Sequence, residues 1–115
     1  MKTNIKTLII SGGDIKKETL NNTLKHINFN NIIAVDKGLE ILDECKIMPN
    51  YIIGDFDSVN PELINKYSNS KIIKLNPEKD FTDTQMAIKL AIEIKSTEIL
   101  ILGAIGTRID HTIAN

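Results

Sequence analysis

The residues best placed for chemistry are Asp55 and Asp57, in the stretch Gly54-Asp55-Phe56-Asp57-Ser58. They follow the apolar run Tyr51-Ile52-Ile53, where a buried strand should emerge at its end. In an extended segment residues i and i+2 point the same way, so the two carboxylates aim at one cation while Phe56 turns toward the core. Two hard oxygen ligands suit Mg²⁺, which keeps several waters and bridges to substrate phosphates. Asp is also common in turns and caps, but two like charges side by side repel unless a cation or a donor offsets them. The spacing therefore predicts a Mg²⁺-phosphate site.

Other strand-end residues can join that pair. Lys79-Asp80-Phe81-Thr82-Asp83 is a second acidic cluster, in which Thr82 or Asp80 can cap a helix and Asp83 can reach a metal. For Asp14, Asp36 and Asp83 taken singly, a cap or turn role is at least as good a reading as a ligand role. In Gly103-Ala104-Ile105-Gly106-Thr107-Arg108-Ile109-Asp110-His111 two glycines allow close backbone approach to a phosphate, and Arg108 can hold it through its planar fork. A flexible turn with a solvated Arg fits the same residues. His111 is a phosphate donor or acid-base group on one reading and a helix-surface cap on another. His26 ends a helix and reads as a surface residue near its negative pole. With no GxxxxGK[ST], a P-loop is excluded, and Ser11-Gly12-Gly13-Asp14 lacks the GxGxxG spacing of a dinucleotide fold.

The elements that must position these groups alternate along the chain. Lys6 to Ser11, Asn31 to Val35, Asn50 to Gly54, Lys71 to Leu75 and Glu98 to Gly103 are rich in Ile, Leu and Val, as strands buried on both faces should be. Glu18 to Ile27, Lys37 to Lys46, Pro61 to Tyr67 and Thr82 to Lys95 read as helices, with Asn60 a candidate cap ahead of Pro61. A further helix is expected from near Asp110. This alternation predicts an α/β fold, a three-layer α/β/α sandwich with a mainly parallel, Rossmann-like sheet. In such a sheet the strand C-termini share one edge, so aspartates scattered through the sequence converge on one crevice.

A chain of 115 residues supports one core. Its 42% hydrophobic and 25% charged residues are those of a soluble globular protein, and a formal net charge of −1 gives no basic field for nucleic acid. No apolar run approaches bilayer length and no signal peptide opens the chain, so no membrane partner and a cytoplasmic location are expected. The single Cys45 reads as a structural or surface thiol.

Taken in order, these motifs resemble the catalytic domain of thiamine pyrophosphokinase (thiamine diphosphokinase). The match runs from Asp36-Lys37-Gly38 through Pro49 to Ser58 and Lys79 to Asp83 to Arg108-Ile109-Asp110-His111-Thr112-Ile113-Ala114-Asn115, nearly the whole chain. Each motif is weak singly; four in series are specific. The resemblance implies an enzyme that moves the terminal pyrophosphoryl group of ATP to the hydroxyethyl oxygen of thiamine, giving thiamine diphosphate and AMP with Mg²⁺, and working as a homodimer. By position it implies Asp55, Asp57 and Asp83 as metal ligands and, with Arg108, as the catalytic set. It places Asp36, Gly38, Ser58, Asp80, Thr82, Arg108, Asp110 and His111 on the nucleotide and phosphate side. Two departures stand out: Lys37 replaces the family's usual small residue after the Asp, and Gly106-Thr107-Arg108 replaces Gly-Gly-Arg. The family also has a second, mostly β domain that helps form the thiamine pocket. None of it is expected within residues 1–115, which implies nucleotide binding with little or no thiamine turnover.

Three other readings compete. A diphosphokinase with another acceptor, such as a pterin, shares the same residues. A nucleotide-binding or assembly module without catalysis is the second. Asp55-Phe56-Asp57-Ser58 also resembles the DxDx[ST] loop of haloacid-dehalogenase-type phosphatases, but there the loop follows the first strand and here it follows the third.

Overall fold

The computed structural model describes residues 4–12, 15–56, 59–75 and 82–103, and the backbone of 109–112. Five strands, β1 (Lys6–Ile10), β2 (Asn31–Val35), β3 (Tyr51–Gly54), β4 (Lys71–Lys74) and β5 (Glu98–Leu102), alternate with helices α1 (Lys17–His26), α2 (Gly38–Glu44), α3 (Pro61–Lys66) and α4 (Asp83–Glu93). A sixth strand, β6 (Ile109–Thr112), follows. The sheet order is β4-β3-β2-β1-β5-β6, parallel throughout except for the antiparallel pair β5–β6. The chain thus steps outward from β1 to β4, then crosses back to lay β5 on the other side of β1.

Both faces of the sheet are covered, as the apolar runs require. Leu8, Ile10, Ala34, Ile52 and Leu100 pack on one face with Leu20, Leu39 and Leu42 of α1 and α2. Ile9, Ile33, Val35, Ile53, Ile99 and Ile101 pack on the other with Ala87 and Ala91 of α4. Small residues on α4 let that helix approach the sheet closely. Each fully buried Leu or Ile contributes about 1.5–3 kcal/mol, so the alternation within each strand fastens both helical layers. The three-layer α/β/α expectation therefore holds.

Two expectations need correcting. The strand β4 is an edge strand with mostly exposed side chains, so it is not buried on both faces; Ile72 is 39% exposed. The apolar pair Ile72-Ile73 reflects β propensity here as much as burial. The expected helix from near Asp110 is the strand β6 instead. Its Ile109 lies opposite Ile101 and its Thr112 opposite Glu98, which covers the otherwise open edge of β5. The β-branched residues Ile109 and Thr112 suit that pairing.

The starts of α3 and α4 follow their local chemistry. The Asn60 side chain accepts from the Glu62 N–H at 3.0 Å with Pro61 behind it. At α4, Thr82 Oγ1 accepts from the Gln85 N–H at 3.1 Å while Gln85 Oε1 accepts from the Thr82 N–H at 2.8 Å, a reciprocal capping box.

Candidate metal and phosphate site

The C-terminal edge of the sheet gathers carboxylates from three separate stretches. Asp36 directly follows β2, Asp55 follows β3, and Asp83 opens α4 on its return across the sheet. One carboxylate oxygen from each lies within 4.8 Å of the others, and all three residues are partly buried. Around Mg²⁺ at about 2.0–2.1 Å, octahedral oxygens stand about 3 Å apart when adjacent and about 4 Å when opposite. The donor set, three carboxylates on one point, fits a hard divalent ion in its chemistry.

Backbone geometry explains how Asp36 is held. The Asp36 N–H donates to the Ile53 carbonyl at 3.0 Å, which continues the sheet for one residue past β2. Asp36 then turns into the left-handed region with φ 47°, which Asp tolerates better than most residues. Its Oδ1 accepts from the Phe56 N–H at 3.2 Å, tying the end of β2 to the turn after β3. Gly54 permits this approach, because a Cβ there would stand 2.0 Å from Asp36 Oδ1. Gly54 also has φ +150°, which L side chains rarely adopt.

Electrostatics mark the trio as a strained cluster of like charge. The carboxyl of Asp36 is pushed up from 3.8 to about 7, first by burial, then by its hydrogen bond to Asp83 and the negative charges of Asp83 and Asp55. The Phe56 N–H opposes this by favouring the charged form. An ion at this point would relieve the repulsion and displace the proton.

The expected pair Asp55 and Asp57 is only half described, since Asp57, Ser58, Asp80 and Arg108 lie outside the described residues. Phe56, between Asp55 and Asp57, sits at φ 65°, outside the extended region. Phe56 does turn to the core, packing against the cluster around Leu39 and Leu42. Of the other expected site residues, Thr82 spends its hydroxyl on the α4 cap, and Gly38 is buried where a Cβ would stand 1.9 Å from the Ile10 carbonyl oxygen. The backbones of Asp110 and His111 lie level with Leu100 and Ile99, back from the C-terminal edge. Asp36, expected on the nucleotide and phosphate side, stands among the candidate metal ligands instead; its position directly after an apolar run was the available signal. Ser11, Lys37 and Thr84, none of them expected at the site, line the pocket beside Asp36 and Asp83.

Comparison with known proteins assigns this architecture. Residues 22–115 match the family model described as "Thiamin pyrophosphokinase, catalytic domain". Thiamine pyrophosphokinase of Bacillus subtilis is 36% identical over 90 residues, which is 72% of this chain and 40% of the relative. Thiamin pyrophosphokinase 1 of Caenorhabditis elegans is 35% identical over 72 residues, 57% of this chain and 28% of the relative. Among solved structures, the Geobacillus thermodenitrificans thiamin pyrophosphokinase superposes with a TM-score of 0.71 at 26% identity, over 90% of this chain and 49% of that one. The Bacillus subtilis thiamine pyrophosphokinase gives a TM-score of 0.69 at 28% identity, with the same coverage. The chain thus spans about half the length of those structures, and less than half of the curated relatives it matches. With the fold, the strand-end carboxylates and a family model covering all but the first 21 residues in agreement, this chain belongs to the thiamin pyrophosphokinase catalytic-domain family.

Proposed function

We propose that this chain is the ATP-binding catalytic part of a thiamine diphosphokinase, which transfers pyrophosphate from ATP to thiamine and releases AMP. The observation that carries the reading is the convergence of Asp36, Asp55 and Asp83 on one point at the sheet's C-terminal edge, in a chain of this family. In the reaction the thiamine hydroxyl oxygen bonds to the β-phosphorus, the bond from that phosphorus to the α–β bridging oxygen breaks, and the hydroxyl proton leaves to a base. Asp36, Asp55 and Asp83, joined by Asp57, would hold Mg²⁺, and Arg108 a phosphate oxygen. When bound, Mg²⁺ supplies charge neutralisation to the phosphates. The residues themselves act by position: Asp36 and Asp83, already hydrogen-bonded, fix the ligand spacing, and Gly54 lets Asp36 reach it.

The chain spans only part of the length of its relatives. Residues 1–115 bind Mg·ATP, and a second, mostly β domain presents thiamine; the working unit is a cytoplasmic homodimer. Titration calorimetry tests the core of this reading. Wild type should bind Mg·ATP, and Asp55→Ala should abolish the heat; no heat with wild type overturns the site. Supplying thiamine or a pterin alcohol and measuring AMP release in the presence of the second domain separates the two acceptors.

A further inference from the structure

Helix α4 is fastened to β1 at both ends by a pair of hydroxyls. Past the C-terminal end of β1, Ser11 Oγ and Thr84 Oγ1 are hydrogen-bonded at 3.1 Å, which joins the exit of the strand to the first turn of α4. Near the start of β1, Thr7 Oγ1 bonds to Ser96 Oγ just after α4, and both residues are buried. Between these points the contact is apolar and smooth: Ala87 and Ala91, fully buried, lie against Ile9, Ile33 and Ile101. Apolar packing is non-directional, whereas a hydrogen bond weakens steeply away from its preferred geometry. The two hydroxyl pairs therefore fix the position of α4 along the strand.

The two ends differ in what stands beside them. Thr7 and Ser96 lie toward the N-terminal edge of the sheet, whereas Ser11 and Thr84 line the same pocket as Asp36 and Asp83. Asp36 and Asp55 follow neighbouring strands, and the backbone bonds of Asp36 to Ile53 and Phe56 hold those two strand ends together. Asp83 alone comes from the helical layer, so its distance from the other two depends on where the first turn of α4 sits. Ionised Asp83 repels Asp36, which works against that placement. A neutral hydroxyl bond one residue along the helix resists the displacement. Its anchor is firm: the Ser11 N–H donates to the Leu102 carbonyl at 2.9 Å, and a Cβ at Gly103 would stand 2.6 Å from the Ser11 carbonyl oxygen.

We propose that Ser11 and Thr84 are positioning residues for the metal site, the hydroxyl bond between them holding the Asp83 carboxylate at ligand distance from Asp36 and Asp55. The inference rests on the Mg²⁺ reading of the carboxylates and adds to it two residues outside that set. Mg²⁺ demands near-ideal octahedral geometry, so a shift of one ligand is felt as lost affinity.

Mn²⁺ binding followed by electron paramagnetic resonance, with thermal melts of the metal-free protein alongside, tests this on the whole chain. Thr84→Val, which keeps the side-chain shape, and Ser11→Ala should each weaken Mn²⁺ binding about three- to tenfold, the range of one hydrogen bond. The double variant should lose no more than the more affected single one, because both remove the same bond. Thr84→Ser keeps the hydroxyl and should bind within about twofold of wild type. Ser96→Ala breaks the pair at the far end; it should melt lower yet bind Mn²⁺ within about twofold of wild type, which separates positioning of Asp83 from general docking of α4. Wild-type affinity in Thr84→Val, or a loss in Ser96→Ala as large as in Thr84→Val, overturns the positioning role and leaves the metal site standing. Failure of wild type to bind Mn²⁺ overturns the metal reading and this inference with it.

Discussion

Replacing Asp36 by Asn should stabilise the metal-free protein above neutral pH and blunt its response to Mg²⁺. Asn keeps the shape of the site: it tolerates the left-handed backbone at φ 47°, and its Oδ1 can still accept from the Phe56 N–H. What is removed is a charge held against burial, Asp83 and Asp55. The folded-state carboxyl ionises near 7 against 3.8 when free, so the penalty is absent below pH 3.8, grows between those values and is complete above pH 7. About three pH units at 1.36 kcal/mol each set a ceiling of about 4 kcal/mol. Asp36 is only partly buried, and solvent screening reduces the expected gain to about 1–2 kcal/mol. For a domain of this size that is an increase in Tm of about 3–8 °C at pH 8 and none at pH 4. Thermal melts of both proteins at the two pH values, with and without millimolar Mg²⁺, measure it. Added Mg²⁺ should raise wild type more than the variant, narrowing or reversing the gap. A variant no more stable than wild type at pH 8, or a difference equal at pH 4 and pH 8, would refute the like-charge description of the site.

Gly54→Ala places a methyl 2.0 Å from Asp36 Oδ1 on backbone at φ +150°, so its urea midpoint should fall by the equivalent of about 1–3 kcal/mol, with the Mg²⁺ response lost as well. Thr82→Ala removes the α4 capping box and should cost about 1 kcal/mol in denaturant unfolding, with weaker Mn²⁺ binding because Asp83 is the first residue of that helix. Tyr67→Phe deletes the 2.6 Å hydrogen bond to Asp43 and should cost about 1–2 kcal/mol at pH 7. The same cluster shapes the pH profile at both ends. Lys66 and Tyr67 hold Asp43 below its usual 3.8, so its contribution is present above that value and is lost as pH falls through the lower folded one. Burial and Asp43 push Tyr67 up from 10.0 to about 12, so its contribution is present below pH 10 and declines as pH rises toward 12; Tyr67→Phe should flatten that alkaline limb.

The order of elements was legible as far as β5 because β1 to β5 are Ile- and Leu-rich runs closed by a polar or glycine residue, and α3 and α4 carry their own start signals. The caps at Asn60 and Thr82 were readable from residue type alone, since each satisfies its N–H groups within three residues. Strand neighbours were not readable in that way. Whether β4 or β5 lies beside β1 depends on which side of the sheet α4 crosses, and Ala87 and Ala91 decide that only once their packing against Ile9, Ile33 and Ile101 is known. The same holds for Ile109 to Thr112, whose β-branched residues favour a strand only when the free edge of β5 is there to pair with.

The site divides along a similar line. Strand-end position was enough to nominate Asp36, Asp55 and Asp83, because a parallel sheet collects such residues on one edge. It did not rank them, since their ranking comes from contacts between segments: Gly54 makes room for Asp36, the Phe56 N–H holds it, and Asp83 hydrogen-bonds to it. In the sequence Asp36 and Asp83 alike read as cap or turn residues at least as well as ligands. In the fold Asp36 joins the ends of β2 and β3 to the start of α4, so a substitution there should alter metal binding, pH dependence and stability together. Asp43, equally acidic and equally close to an apolar run, sits on a helix facing Lys66 and Tyr67, and its loss should alter stability alone.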